Sequence, residues 1–245
     1  ALLLGVVWTA SVSPAFALWP ASGGGPLDDS AFATVTDQSG NIYVAGEFRG
    51  GAVIGGTTYS AEGLSDIFVA KYSPDGTLVY VRTAGGPSVD RATALAVDAA
   101  QNVYLTGYFT TSATFRNLPS SGVGTVNLPH TNNSVTPDRH EWFIARLQAN
   151  GDWGWARQIG GDGQDEGYGI AIAPGVEDPN NPIADGVIAV GRVSCPHLYE
   201  DDGAISTIGS GVSCGRASGL AVRIDTAGNW VWALEAGQYG ASEWL

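Results

Sequence analysis

The chain has 245 residues, including 35 glycines, 12 prolines and eight tryptophans, and only 14% of it is charged. That length allows a sizeable core, and the Gly and Pro content suits short strands joined by tight turns rather than long amphipathic helices. A net charge of −13 argues against a nucleic-acid backbone or an anionic membrane surface as partner, because both need clustered Lys and Arg.

Residues Ala1 to Ala17 form an uncharged apolar run closed by Ala15-Phe16-Ala17, with Pro14 just before it. The run has the apolar core and A-x-A site of a secretory signal without its charged start, so cleavage is expected before Leu18. It is too short for a membrane span. The competing reading is a strand of an earlier repeat around Val6-Val7-Trp8. The chain contains no methionine, and the expectation is a fragment of a longer exported protein.

From Leu18 onward the chain repeats. Gly-rich corners recur at Gly24-Gly25, Gly85-Gly86, Gly160-Gly161 and Gly237-Gln238, each preceded at the same distance by an aromatic: Trp19, Tyr80, Trp155 and Trp232. Asp29, Asp90 and Asp165 follow the first three corners, and Ser242 stands in the fourth copy.

Each period carries the same pieces in order. An alternating first strand (Phe32 to Asp37, Ala92 to Asp98, Tyr168 to Ala173) is followed by a short turn. A second strand then ends on Gly46, Gly107 or Gly191, and a third (Ile67 to Tyr72, Trp142 to Leu147, Leu220 to Ile224) carries a cation at Lys71, Arg146 or Arg223. A tight turn containing Gly76, Gly151 or Gly228 leads to the aromatic fourth strand.

Four short antiparallel strands per period predict an all-β fold, a β-propeller of four-stranded antiparallel blades. Blades are expected at about 28–83, 90–158 and 165–235, with a further one beginning at 236–245. Three blades do not close a ring, so the ring is expected to be incomplete here. Extra length sits between the second and third strands, Thr110 to His140 and Arg192 to Ser218. Insertions in repeat proteins gather on one face, which makes these loops the first place to look for binding.

The segments D-x-x-G-N-I-Y-V-A-G at Asp37 to Gly46 and D-I-F-V-A-K-Y-S-P-D-G-T-L-V-Y at Asp66 to Tyr80 resemble the SBBP β-propeller repeat family of bacterial secreted and surface proteins. The third repeat departs from the pattern, with Ala173 for the Asp, a Pro/Asn-rich stretch from Pro174 to Asp185, and Ser218 for the acid before the third strand. The resemblance implies an exported repeat module, often part of a larger chain, with no catalytic residues to carry over.

Candidate chemistry is sparse. His130, His140 and His197 fall in the two insertions without metal-site spacing. Asp162, Asp165 and Glu166, and Glu200, Asp201 and Asp202, are dense in oxygen ligands and are the calcium candidates, although neither group has EF-hand spacing. Cys195 and Cys214 are expected to form a local disulfide. Features copied once per blade are read as structural, because an active site needs one asymmetric constellation. Asp29, Asp90 and Asp165 are therefore expected to bind corner N–H groups or to pair with Lys71, Arg146 and Arg223. Tyr43, Tyr104, Trp153, Trp155, Trp230 and Trp232 are expected between blades rather than free to stack on sugars.

The function expected is a non-catalytic extracellular or cell-surface scaffold that binds protein or polysaccharide through the insertions and needs no cofactor. The alternative is a polysaccharide lyase or hydrolase whose site lies in blades beyond these, since the visible ones offer no convergent set of acids and histidines.

Overall fold

The computed structural model describes residues 23–117, 124–129, 139–160, 163–176, 184–194, 197–199, 205–207 and 217–236. Among these, every regular element is a strand. After β1 (Gly23–Gly24), the first blade comprises β2 (Ser30–Thr36), β3 (Ile42–Phe48), the inserted hairpin β4 (Gly51–Ile54) and β5 (Thr57–Ser60), then β6 (Asp66–Tyr72) and β7 (Leu78–Gly85). The second comprises β8 (Arg91–Val97), β9 (Val103–Thr110), the insertion strands β10 (Ala113–Phe115) and β11 (Val126–Leu128), β12 (His140–Leu147) and β13 (Trp153–Gly160). In the third are β14 (Glu166–Ala173), β15 (Gly186–Val193), β16 (His197–Tyr199) and β17 (Ile205–Thr207), β18 (Ser218–Asp225) and β19 (Trp230–Ala236).

Each blade is a meander of four antiparallel strands, β2-β3-β6-β7, β8-β9-β12-β13 and β14-β15-β18-β19. The turn between its first two strands is built by one carboxylate. Asp37 accepts from the N–H groups of Ser39 and Asn41, the Asn41 side chain and the Tyr43 hydroxyl, and Asp98 repeats the device with Asn102 and Tyr104. The hairpin between the last two strands turns at Gly76, Gly151 and Gly228, whose φ values of 84°, 88° and 92° suit glycine.

Blades stack face to face, and the core lies in the seams. Tyr43, Ile67, Val69 and Tyr80 of blade 1 meet Leu105, Phe115, Phe143 and Trp153 of blade 2. Tyr104, Trp142, Ile144 and Trp155 of blade 2 meet Val187, Leu220, Val222 and Ile224 of blade 3. Tyr43, Tyr104, Trp153 and Trp155 are buried, whereas Trp232 on the far face of blade 3 is exposed.

The described parts of the insertions form strands. β10 adds to the outer strand of the preceding blade, with Thr114 opposite Gly85 and Phe115 opposite Ala84, and β16 does the same with Leu198 opposite Ile159. β4 pairs with β1 in the same manner, Gly23 opposite Ile54. The β10 and β16 hairpins each extend the sheet of the blade before their own, covering an open edge and tying neighbours together. These two strand pairs therefore carry a structural load that their composition did not suggest.

Candidate functional site

The acids copied in each blade serve the backbone. Asp29 accepts from the N–H groups of Gly25 and Arg49, and Asp90 from those of Gly86 and Thr110. Asp165 accepts from Ser194 N–H. The copied cations go elsewhere: Lys71 donates to Gln101 Oε1 at 3.2 Å, Arg146 to the Thr226 carbonyl at 2.9 Å, and Arg223 to the carbonyls of Ala173, Pro174 and Ala184. These cations bond to turns at the opposite end of the third strand from Asp29, Asp90 and Asp165, which the sequence predicts to bind corner N–H groups or to pair with them.

The more informative positions are those that occupy equivalent places in the blades and differ in chemistry. At one end of each blade the residue after the copied Asp faces the residue after the strand-ending Gly: Ser30 opposite Glu47, Arg91 opposite Tyr108, and Glu166 opposite Arg192. Beside them stand Ser65 and His140, one residue before Asp66 and Glu141. A bulge in the first strand of every blade, between Ala31/Ala33, Ala92/Ala94 and Gly167/Gly169, sets this geometry. It brings a first-strand carbonyl against the glycine, so that a Cβ on Gly46 would meet the Ser30 oxygen at 1.8 Å and one on Gly107 the Arg91 oxygen at 1.9 Å.

Because β8 is flanked by β2 and β14, these residues form one row across the blades. Arg91 of blade 2 grips Glu47 of blade 1 with Nε and Nη2 at 3.0 and 2.9 Å, and Ser65 Oγ and Arg49 also approach that buried carboxylate. The same guanidinium lies over the Phe32 ring at 4.5 Å and the Tyr108 ring at 5.5 Å. On Tyr108 the His140 imidazole stacks with centroids 3.9 Å apart and an interplanar angle of 12°. His140 Nδ1 hydrogen-bonds Glu166 Oε1 of blade 3, and the Tyr168 hydroxyl donates to Glu166 Oε2 at 2.7 Å.

Burial opposes ionisation of Glu166, but the Tyr168 and His140 hydrogen bonds outweigh it and hold its carboxyl below the ordinary value. Burial raises the Tyr108 and Tyr168 phenols, helped for Tyr168 by its bond to Glu166. Phe32 and Tyr168 keep 45% and 53% of their surface exposed at the two ends of the row. The row thus offers open aromatic faces beside carboxylates and a guanidinium whose orientations are already fixed.

Of the residues singled out from the sequence, Asp165 and Glu166 lie here, bonded as described. Asp162, Glu200, Asp201, Asp202, Cys195, Cys214, His130 and the segment 1–17 lie outside the described residues. Among the described residues no three His, Cys, Asp or Glu side chains come together as a metal site. His140 is not in a loop but opens β12, and the visible blades do hold a convergent set of charged and aromatic groups. Sequence reasoning missed the row because it sought what the copies share. The signal was the reverse: Ser30, Arg91 and Glu166 follow the same Asp and differ.

A cavity of about 230 Å³ opens elsewhere, on the face of blade 1 turned away from blade 2, lined in part by Val44, Phe48, Phe68 and Tyr72. The corresponding positions of blade 2, Leu105, Phe109, Phe143 and Leu147, pack against blade 1, which marks this cavity as blade-packing surface.

Repeated four-stranded blades stacked around inner strands define a β-propeller repeat protein. The family model matching residues 53–78 is a β-propeller domain of unknown function, DUF5122. An uncharacterized WD repeat-containing protein of Acanthamoeba polyphaga mimivirus is 26% identical over 186 residues, covering 68% of this chain. The chain spans 13% of the length of that relative. Both comparisons support a β-propeller repeat family, a coarser statement than the SBBP resemblance.

Proposed function

We propose that the chain is an extracellular interaction module that holds a polysaccharide at the row running from Phe32 through Arg91, Tyr108 and His140 to Glu166 and Tyr168. The observation that carries this reading is that chemistry differs between blades in this row, while the copied acids and cations are engaged with backbone and turns. Half-exposed aromatic rings beside oriented carboxylate and guanidinium groups suit a sugar, which presents an apolar ring face and a rim of hydroxyls. The location outside the cell rests on the run closed by Ala15-Phe16-Ala17, and the SBBP resemblance supports it. We place the binding surface at the inner strand ends rather than on the insertions, whose strands β10 and β16 are engaged with neighbouring blades.

The test is titration of the purified chain with a panel of soluble neutral and acidic polysaccharides, repeated with Phe32→Ala, Tyr168→Ala and a variant with residues 118–123 replaced by a Gly-Ser linker. The expected result is saturable binding weakened about tenfold by each aromatic change, worth about 1.4 kcal/mol, and unaltered by the linker. Binding that survives both aromatic changes and is lost with residues 118–123 places recognition on the insertions. A second reading, a polysaccharide-cleaving enzyme, draws on His140 being oriented by Glu166. It predicts falling viscosity of a bound polysaccharide, abolished in His140→Ala.

A further inference from the structure

At the Gly85-Gly86 corner two carboxylates from different blades face one another inside the protein. Asp66 opens β6 of blade 1 and is 4% exposed; Asp90 precedes β8 of blade 2 and is fully buried. Both reach over the same bare backbone, since a Cβ on Gly85 would stand 2.7 Å from Asp66 Oδ1 and 3.0 Å from Asp90 Oδ2. Asp90 spends its oxygens on the N–H groups of Gly86 and Thr110, at 2.7 and 3.2 Å. Asp66 Oδ2 accepts from Glu62 N–H at 3.1 Å, but its buried Oδ1 has no hydrogen-bond partner among the described residues.

Among the described residues no cation is placed to neutralise them. The charged groups on the surrounding elements are Glu47 on β3, Arg49 just after β3 and 3.6 Å from Glu47, Glu62 in the loop before β6, Lys71 on β6, Arg82 on β7, Arg91 on β8 and Arg116 after β10. Arg91 is held by Glu47, Lys71 by Gln101, Arg82 by the Gly151 carbonyl, and Arg116 by Glu62. β9 and β10 bring no charged side chain. Two buried like charges without a counter-ion are costly, and the least expensive remedy is one proton held between them. An orphaned acceptor beside a second carboxylate is where such a proton would donate.

We infer that Asp66 and Asp90 share a proton across the seam between blades 1 and 2, so that the seam is tightest when the proton is bound and loosens when it leaves. Desolvation is the main cause that raises both groups from an ordinary 3.8, Asp66 to about 6 and Asp90 to about 7, with the Asp66 charge adding to the rise at Asp90. The pair titrates as a unit, and the two values belong to it jointly. The folded state therefore binds protons more tightly than the unfolded chain. The stabilisation is complete below about pH 4 and is lost as pH rises through about 6 to 7. Glu141 and Asp165 stand at the corresponding places of the next seam, with Glu141 over Gly160.

The experiment is urea unfolding of the wild type and Asp66→Asn from pH 4 to pH 8, together with carboxyl carbon NMR titration of the wild type. Asparagine keeps the acceptor for Glu62 N–H and offers an amide donor to Asp90, standing in for the protonated acid. The expected result is an unfolding midpoint higher than wild type at pH 8 and close to it at pH 4, with one or both carboxyls titrating at least two pH units above 3.8. A variant equally destabilised at both pH values, or carboxyls that titrate near 3.8, overturns the inference. So does a wild-type midpoint at pH 8 that added calcium raises and the variant's does not, which would mean a cation bridges the pair instead.

Discussion

Gly107 illustrates how a single residue decides local structure here. The Arg91 carbonyl occupies the space of its absent side chain, at 1.9 Å from a Cβ, and that close approach is what lets the β8 bulge aim Arg91 at Glu47. Gly107→Ala must push β8 off β9, costing about 2 kcal/mol as an overpacked core position does. It also displaces Arg91, and under the proposed function should weaken polysaccharide binding along with stability. Gly124→Ala meets nothing within 4 Å and serves as the control. Urea unfolding of both variants checks this, and equal midpoints for the two would contradict the close-packing account. The repeated glycine was visible in the sequence, but its reason was not, because a bulge on one strand is a property of the pair.

Among the elements, the seams are fastened by a device that was missed in the sequence although its signal is plain. In Tyr80-Val81-Arg82 and Trp155-Ala156-Arg157 the arginine crosses to the next blade and donates to the carbonyl of the hairpin glycine, Arg82 to Gly151 at 2.6 Å and Arg157 to Gly228 at 2.9 Å. Each guanidinium also lies over the aromatic two residues before it, at 5.2 and 5.9 Å. In the third copy the same position is Leu234, which is exposed. Replacing Arg157 with Leu copies that natural variation, removes a charged hydrogen bond to a buried carbonyl, and should cost about 2 kcal/mol. The loss should fall on the blade 2–blade 3 seam. Unfolding followed by Trp155 fluorescence would report it first, and an unchanged midpoint would show that the clasp contributes nothing. The inserted hairpins act at the same level: their length was legible, whereas their pairing with the preceding blade depended on which outer strand lay beside them.

Across the stack of blades, stability is set mainly by contacts between neighbours. Blade 2 is covered on both faces, and every residue of β9 is buried, whereas blade 3 exposes Tyr168, Val190, Trp232 and Leu234 on its outer face. Amide exchange should accordingly be slowest in β9 and β12 and faster in β15 and β18. Slowest exchange in β18 would refute this ordering. The repeat, the four strands of each blade and the turn residues follow from the order of amino acids alone, because alternation, turn glycines and the Asp37 and Asp98 devices act over a few residues. That Arg91 meets Glu47, that His140 meets Glu166, that Asp66 faces Asp90, and that the insertions extend a neighbouring sheet emerge only in three dimensions. Those partners lie far apart along the chain, and they are brought together by the stacking of one blade on the next, an arrangement that no local pattern encodes.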